Sequence, residues 1–131
     1  MLNARMFCRF DERILWFVRG DTWKWNQESG GIGTIWRIAR EQLKEHPVAY
    51  PEELPRRCIM ATTDTGETIL DPFMGSGTTG VACAKLGRKF VGIEIEPKYF
   101  EIACRRIEEA YRQPDFFIEP PKKAEQLALP E

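Results

Sequence analysis

The sequence contains few of the residues from which metal sites and disulfide frameworks are built. It has four cysteines in 131 residues, Cys8, Cys58, Cys83 and Cys104, without a Cys-x-x-Cys pair, and a single histidine. A zinc site needs clustered cysteine or histidine ligands, and a disulfide framework needs paired cysteines in a short secreted chain. The sequence therefore predicts neither a metal site nor disulfides, and indicates a reduced, intracellular protein.

Net charge and long apolar runs are also scarce. Nineteen lysines and arginines nearly balance twenty aspartates and glutamates, giving a formal net charge of −1, whereas a protein that holds DNA or RNA by charge alone is strongly basic. The longest apolar run covers residues 14–18, far short of the roughly 20 residues of a membrane helix, and the N-terminus lacks the apolar stretch of a signal peptide. We expect a soluble, cytoplasmic protein with no membrane partner, and not a free-standing nucleic-acid binder.

The second half of the sequence alternates strand and helix patterns at the short spacing of a parallel α/β unit. The predicted elements are a strand at 68–70 ending at Asp71, a glycine-rich turn at 75–80, a helix of small residues at 81–84 closed by Gly87, a strand at 90–93 finishing at Glu94, and a helix from Pro97. Apolar residues of the last helix, including Phe100 and Tyr111, recur at intervals of three and four, which predicts that this face packs on the sheet. The fold class is α/β.

The first half gives weaker signals. Residues 13–19 are apolar and aromatic, which predicts a buried strand, and residues 35–38 are consistent with a second, short one. A helix is predicted at 52–60, with its N-terminus at or after Pro51. Three tryptophans lie beside these segments, and we expect them to be buried rather than to stack on bases; they are Trp23, Trp25 and Trp36.

The segment after the strand that ends at Asp71 carries the clearest chemical signal. Residues 69–80 read Ile-Leu-Asp-Pro-Phe-Met-Gly-Ser-Gly-Thr-Thr-Gly. An acidic strand end, a glycine turn and a helix N-terminus place unpaired backbone N–H groups beside a carboxylate. Gly75 and Gly77 lack side chains that would keep a ligand away from the backbone. Such a site suits a ligand that carries both charges.

Other residues of the same region extend this prediction. Three hydroxyls are placed to cap the following helix or to bind the ligand, those of Ser76, Thr78 and Thr79. Glu94 stands nineteen residues beyond Gly75, at the end of the neighbouring strand, where an acid can accept hydrogen bonds from both hydroxyls of a ribose. The predicted ligand is a nucleoside with a charged tail.

Two alternative nucleotide sites can be compared with this pattern. A Walker-type loop needs Lys and Ser or Thr after its last glycine, but Gly80 is followed by Val81. Residues 75–80 fit the Gly-x-Gly-x-x-Gly pattern of a dinucleotide fold, which leaves NAD open. The Asp71 carboxylate would repel a pyrophosphate and attract the ammonium of a methionine group, so the acid favours S-adenosylmethionine over NAD.

These residues resemble the cofactor-binding end of DNA amino-methyltransferases, which methylate adenine N6 or cytosine N4. The likeness spans roughly residues 10–112 and rests on three stretches, 71–80, Leu-Gly-Arg-Lys-Phe-Val-Gly-Ile-Glu at 86–94 and Tyr-Phe-Glu-Ile-Ala at 99–103. It is similar to the subclass in which the catalytic motif precedes the cofactor motif. The family's His-Pro-x-x-x-Pro stretch matches residues 46–51, with Val48 and Tyr50 where Thr and Lys are frequent.

The resemblance implies a partial Rossmann-like, S-adenosylmethionine-dependent methyltransferase fold, with a mostly parallel sheet and flanking helices. It also implies a role in site-specific DNA methylation, such as that of restriction–modification. Within the cofactor site, Glu94 holds the ribose, Ile95 borders the adenine, and Asp71 orients the loop or the amino group. The remaining residues implied to belong to the site are His46, Pro47, Phe73, Gly75, Ser76, Gly77 and Thr78.

One motif of the family is missing from the sequence. Relatives hold the flipped base in a [Asp/Asn/Ser]-Pro-Pro-[Tyr/Phe/Trp] loop, and the one Pro-Pro here lies in Glu-Pro-Pro-Lys at 119–122. We therefore assign no catalytic residue and expect the chain to bind cofactor without transferring a methyl group. Residues 1–112 are interpreted as a partial methyltransferase domain, with a strand and linker region at 10–45 and the cofactor-binding half at 46–112, and residues 113–131 as a loosely ordered tail.

The missing part also bears on partners. DNA would be contacted through parts that this sequence lacks, and the strand that ends at Asp71 would have an open edge. We expect that edge to be covered by a second copy of the chain, by a separate catalytic subunit or by the N-terminal segment. The alternatives to a cofactor-binding portion are a degenerate remnant that serves as a binding or assembly module and, less favoured, an NAD-binding Rossmann domain.

Overall fold

A computed structural model describes residues 13–21, 23–26, 35–39 and 50–112 of the chain. The elements, in chain order, are α1 (Glu53–Thr62), β1 (Thr68–Asp71), α2 (Thr78–Lys85), β2 (Lys89–Gly92) and α3 (Pro97–Arg112). Their order confirms the predicted α/β alternation, including the strand that ends at Asp71 and the helix that begins at Pro97.

The two strands form a parallel sheet whose faces differ. Ile69 lies opposite Phe90 in the register, and both pack against the core formed by α1 and α2. Leu70 lies opposite Val91 on the other face, and both are exposed. Side chains alternate between the faces of a strand, so one face of the sheet is covered by helices, while on the other, here called the outer face, Leu70 and Val91 are 60% and 50% exposed.

Helix α2 lies at the centre of the structure because its side chains are small. Ala82 and Cys83 are fully buried, with Ile59 of α1 beside them, and Ala84 contacts Ala110 of α3 on another side. The helix starts at Thr78, earlier than the small-residue run itself predicts. Gly87 follows the C-cap residue with φ +69°, a left-handed conformation that glycine adopts without strain, which confirms the predicted stop.

Helix α3 packs mainly against α2, so the expectation that its apolar face packs on the sheet is wrong. Its buried residues are Ile102, Ala103 and Ala110, whereas Phe100 and Tyr111 are exposed. The reason is geometric: small side chains on both helices allow a close α2–α3 approach, and the larger rings lie at the margins of the buried stripe.

The first half of the chain does not form the predicted strands. Residues 13–18 and 35–39 have no regular secondary structure, and Leu15 and Phe17 are 72% and 82% exposed. A strand persists only when a neighbour completes its ladder of hydrogen bonds, and within the described residues β1 and β2 pair only with each other.

The tryptophans of this region also depart from the prediction. Trp23 and Trp25 are exposed rather than buried, and both rings contact Trp16, with centroid distances of 6.4 and 5.4 Å. Trp36 is half-buried, with the Arg57 guanidinium 5.7 Å from the centroid of its ring.

Residues 23–26 are tied to the C-terminal end of α1. The Asn26 side-chain amide donates to the carbonyl oxygens of Met60 and Thr63 at 3.0 and 2.8 Å. Lys24 pairs with Asp64 and Glu67 at 2.6 and 2.8 Å. No helix among the described residues is long and apolar enough to cross a membrane.

Candidate functional site

The ends of β1 and β2 lie at one edge of the parallel sheet, where Asp71 pairs with Gly92 in the register. The Ile93 amide donates to the Asp71 carbonyl at 3.0 Å, and the Met74 amide donates to the Ile93 carbonyl at 3.0 Å. The chain after β1 therefore lies against the chain after β2. Ligands of open α/β sheets bind at such carboxyl ends.

The Asp71 carboxylate joins the strand end to both the loop and α2. Its Oδ1 accepts a hydrogen bond from the Phe73 amide at 3.0 Å, and its Oδ2 accepts one from the Thr79 hydroxyl at 2.7 Å. Thr79 therefore uses its hydroxyl for Asp71. The N-cap of α2 is Gly77, which has no side chain, so none of the three hydroxyls forms the helix cap that the sequence suggested as one option.

Glu94 bridges the two chain segments that follow the strands. Its Oε2 accepts a hydrogen bond from the Gly75 amide at 2.9 Å, and its Oε1 accepts one from the Glu96 amide at 2.9 Å. A carboxylate has about four acceptor positions. Each Glu94 oxygen therefore keeps capacity for a further donor.

Ser76 and Thr78 face helix α3. Each residue is only 3% exposed. The Nη1 atom of Arg106 lies 2.6 Å from the Ser76 carbonyl oxygen, 3.0 Å from the Ser76 hydroxyl and 3.4 Å from the Thr78 hydroxyl. Both hydroxyls that the sequence assigns to the ligand thus lie against the protein interior.

The two glycines that begin the turn have left-handed backbone conformations, with φ +52° at Gly75 and +79° at Gly77. A Cβ atom at Gly77 would lie 2.8 Å from Ala103 Cβ and 3.0 Å from Ala103 Cα. Glycine is therefore required at position 77 by the approach of α3 as well as by the turn.

Two large apolar side chains flank the strand ends on the solvent side. Phe73 is 87% exposed and Ile95 is 96% exposed, and they follow the ends of β1 and β2 respectively. The structure thus brings Asp71, Phe73, Gly75, Glu94 and Ile95 to one edge of the sheet. Ser76, Gly77 and Thr78 of the predicted site lie in the same loop but face α3, and His46 and Pro47 lie outside the described residues.

Sequence reasoning did not place Tyr50 in the site. Its hydroxyl lies 2.6 Å from Thr79 Oγ1 and 3.4 Å from Asp71 Oδ2, and because Thr79 donates to Asp71, Tyr50 acts as the donor to Thr79. Burial raises the pKa of the Tyr50 hydroxyl. The proline-bracketed stretch at 46–51 is the sequence signal that could have indicated Tyr50. Arg106 was also missed.

Comparison with known proteins identifies the family of the chain. A family model described as DNA methylase, of the N6/N4 methyltransferase type, matches residues 2–105. The chain belongs to the N6/N4 DNA methylase family. Among curated relatives of this family, the type II methyltransferase M2.DpnII of Streptococcus pneumoniae is 36% identical over 82% of the chain, and the DNA adenine methyltransferase YhdJ of Escherichia coli K12 is 40% identical over 60% of it.

Solved structures of the family share the fold. The complex of M1.HpyAVI with S-adenosylmethionine superposes with a TM-score of 0.56 at 34% identity, covering 66% of this chain and 44% of that one. The cytosine-N4-specific PvuII DNA methyltransferase superposes with a TM-score of 0.58 at 21% identity, over 68% of this chain and 41% of that one. The described elements are therefore part of an S-adenosylmethionine-dependent methyltransferase fold.

This member of the N6/N4 DNA methylase family spans less than half the length of the curated relatives named above. It spans 46% of the length of M2.DpnII and 28% of the length of YhdJ. The match to the family model, residues 2–105, includes the glycine loop and both strand ends.

Proposed function

We propose that this chain is the S-adenosylmethionine-binding portion of a DNA methyltransferase that modifies the exocyclic amino group of adenine or cytosine. The observation that carries the proposal is the pairing of Glu94 with the Gly75 amide at 2.9 Å, which fixes an acid from one strand end against the glycine loop of the other. The structure of M1.HpyAVI with S-adenosylmethionine supports it, since that relative has the same fold.

The residues present fit the cofactor. A ribose presents two hydroxyl donors, and the two Glu94 oxygens each accept one backbone amide and retain capacity for one more donor. Glu94 would hold the ribose in this way. Phe73 and Ile95, both highly exposed, offer apolar surface to the nonpolar parts of the methionine chain and the adenine.

Asp71 accounts for selectivity between charged nucleosides. Its Oδ1 accepts one amide, that of Phe73, so one acceptor position on that oxygen can receive an ammonium group. An ammonium there gains a charge-assisted hydrogen bond, whereas a pyrophosphate oxygen would be repelled by the same carboxylate. S-adenosylmethionine supplies the electrophilic methyl group when bound, and the residues of this chain bind and orient it.

We assign base binding and catalysis to parts outside this sequence, because it contains no [Asp/Asn/Ser]-Pro-Pro-[Tyr/Phe/Trp] motif. The chain alone therefore binds cofactor and transfers no methyl group. The free edge of β1 would be covered by a second copy or by a catalytic subunit; among the described residues β1 pairs only with β2. A chain that sediments as a monomer at all concentrations would contradict coverage by a second copy and would leave a catalytic subunit as the proposed partner.

Titration calorimetry of the 131-residue chain with S-adenosylmethionine, S-adenosylhomocysteine and NAD tests the function. We expect both sulfur nucleosides to bind and NAD not to bind. Glu94→Gln should weaken binding by roughly 10- to 100-fold, since a neutral amide loses charge-assisted bonds worth about 1.5–3 kcal/mol.

The matched control is Glu101→Gln, which removes the same charge from an exposed position on α3 and should leave the affinity within about twofold. Binding of NAD alone, or equal affinities for wild type and Glu94→Gln, would refute the cofactor assignment. If the chain binds none of the three nucleosides, the remnant with an assembly role becomes the better interpretation.

A further inference from the structure

The contacts of Arg106 define a second layer beneath the glycine loop. Its Nη1 group lies within hydrogen-bonding distance of three oxygens, the Ser76 carbonyl at 2.6 Å, the Ser76 hydroxyl at 3.0 Å and the Thr78 hydroxyl at 3.4 Å. The donor comes from α3, and the acceptors belong to the loop and to the first residue of α2. One side chain thus links the loop, α2 and α3.

The loop depends on this guanidinium because its acceptors are buried. Ser76 and Thr78 are the buried polar residues of the described chain, and a buried carbonyl that loses its donor costs more than an ordinary hydrogen bond contributes. The shorter bond goes to the carbonyl, so Arg106 fixes the backbone of the loop directly. One turn earlier on α3, Ala103 sets the closest approach of Gly77.

The position of the charge is unfavourable by itself. A helix N-terminus carries a partial positive charge, and cations are disfavoured beside it. Arg106 nevertheless lies at the first residue of α2. Helix electrostatics oppose this placement, so the interactions of the Arg106 side chain, its hydrogen bonds to the loop among them, must offset that cost.

We propose that Arg106 is a positioning residue that holds the backbone of Gly75–Thr78 in the conformation in which the Gly75 amide meets Glu94 and the loop receives the cofactor. The inference rests on the proposed function for its cofactor part, and on the hydrogen bonds of the free protein for its loop part. Arg106 acts through Ser76 and Thr78, which separate it from the loop surface.

Two measurements on the full chain test this role. The first is amide hydrogen exchange of Gly75 and Gly77 by NMR in the free protein, where Gly77 donates to the Met74 carbonyl at 2.8 Å. The second is the Kd for S-adenosylmethionine. Arg106→Gln should speed exchange at both amides and weaken binding, each by about tenfold, and Arg106→Lys should recover part of both losses because an ammonium can still donate to the Ser76 carbonyl.

Two controls separate positioning from general stability and charge. Ala110→Gly loosens the α2–α3 contact away from the loop, so it destabilises the fold without removing a loop hydrogen bond. Arg105→Gln removes the same charge from the neighbouring exposed position. Both controls should leave loop exchange and Kd within about twofold of wild type.

The outcomes are distinct. Wild-type exchange at Gly75 and Gly77 in Arg106→Gln, or an equal affinity loss in Ala110→Gly, would overturn the positioning role. If wild type itself fails to bind S-adenosylmethionine, the proposed function is wrong, and the exchange data still decide whether Arg106 holds the loop. If Arg106→Gln does not fold, Arg106→Lys carries the test, and exchange rates equal to wild type would then refute the inference.

Discussion

Replacing Gly77 with alanine adds one methyl group at the point where the glycine loop meets α3. The backbone there has φ +79°, and the new Cβ would lie 2.8 Å from Ala103 Cβ, 3.0 Å from Ala103 Cα and 3.2 Å from Ile107 Cδ1. The nearest atoms include backbone of a helix, which cannot move aside as a flexible side chain can. The loop, α3 or both must shift.

The magnitude follows from two contributions. A non-glycine residue in the left-handed region costs about 1–2 kcal/mol, and forcing an extra carbon into a packed contact costs about 1–3 kcal/mol. Gly77→Ala should therefore lower the free energy of unfolding by about 2–5 kcal/mol, a large part of the roughly 5–15 kcal/mol available to a domain.

Gly66→Ala provides the matched control. Gly66 has φ +86°, but no atom lies within 4 Å of the added Cβ, so only the backbone contribution and the shared effect on the unfolded chain apply. Urea unfolding followed by far-ultraviolet circular dichroism should show Gly77→Ala to be about 1–3 kcal/mol less stable than Gly66→Ala. Equal midpoints and slopes for the two variants would refute the packing argument.

Two further predictions concern charge and burial elsewhere in the fold. Hydrogen bonds from Lys24 lower the pKa of both Asp64 and Glu67, so these ion pairs stabilise the fold at neutral pH and lose that effect as the pH falls through the lowered pKa values. The variant Lys24→Met should therefore lose less stability than wild type between pH 7 and pH 3, roughly the span of carboxyl titration. Parallel profiles of stability against pH for the two proteins would contradict this. Burial raises the pKa of the Cys83 thiol to about 11 and leaves it without solvent contact, so iodoacetamide at roughly pH 8 should label Cys83 only in urea; mass-spectrometric detection of labelled Cys83 in the native protein would count against the burial.

The second half of the chain could be predicted because its signals are local. Pro97 starts α3 and Gly87 ends α2 through their own backbone preferences, and Asp71 marks the end of β1. The prediction of a strand at 13–19 is wrong because a strand needs a second segment to pair with, and the local pattern of one segment does not specify its partner. The packing of α3 on α2 likewise depends on which neighbour approaches, which periodicity does not specify.

The candidate site was predictable to a similar extent. The sequence indicates three residues of the site, because they follow strands at the spacing of a nucleotide fold: Asp71, Gly75 and Glu94. The structure brings them together. The sequence does not indicate Arg106, because this residue lies beside Arg105 in a charged stretch of α3. Only the three-dimensional packing distinguishes the half-buried side chain of Arg106 from the exposed side chain of Arg105. Hydrogen bonds between residues thirty positions apart leave no local pattern.

The outer face of the sheet and the candidate site are built on the same two strands. Leu70 and Val91, exposed on that face, each lie within three residues of an acid at the strand ends, Asp71 or Glu94. A polypeptide that covers the face and a ligand held at the strand ends both favour the same ordered strands, so their affinities are thermodynamically linked. Linkage is reciprocal: the factor by which such a polypeptide would change the affinity for a ligand at the strand ends is the factor by which that ligand would change the affinity for the polypeptide.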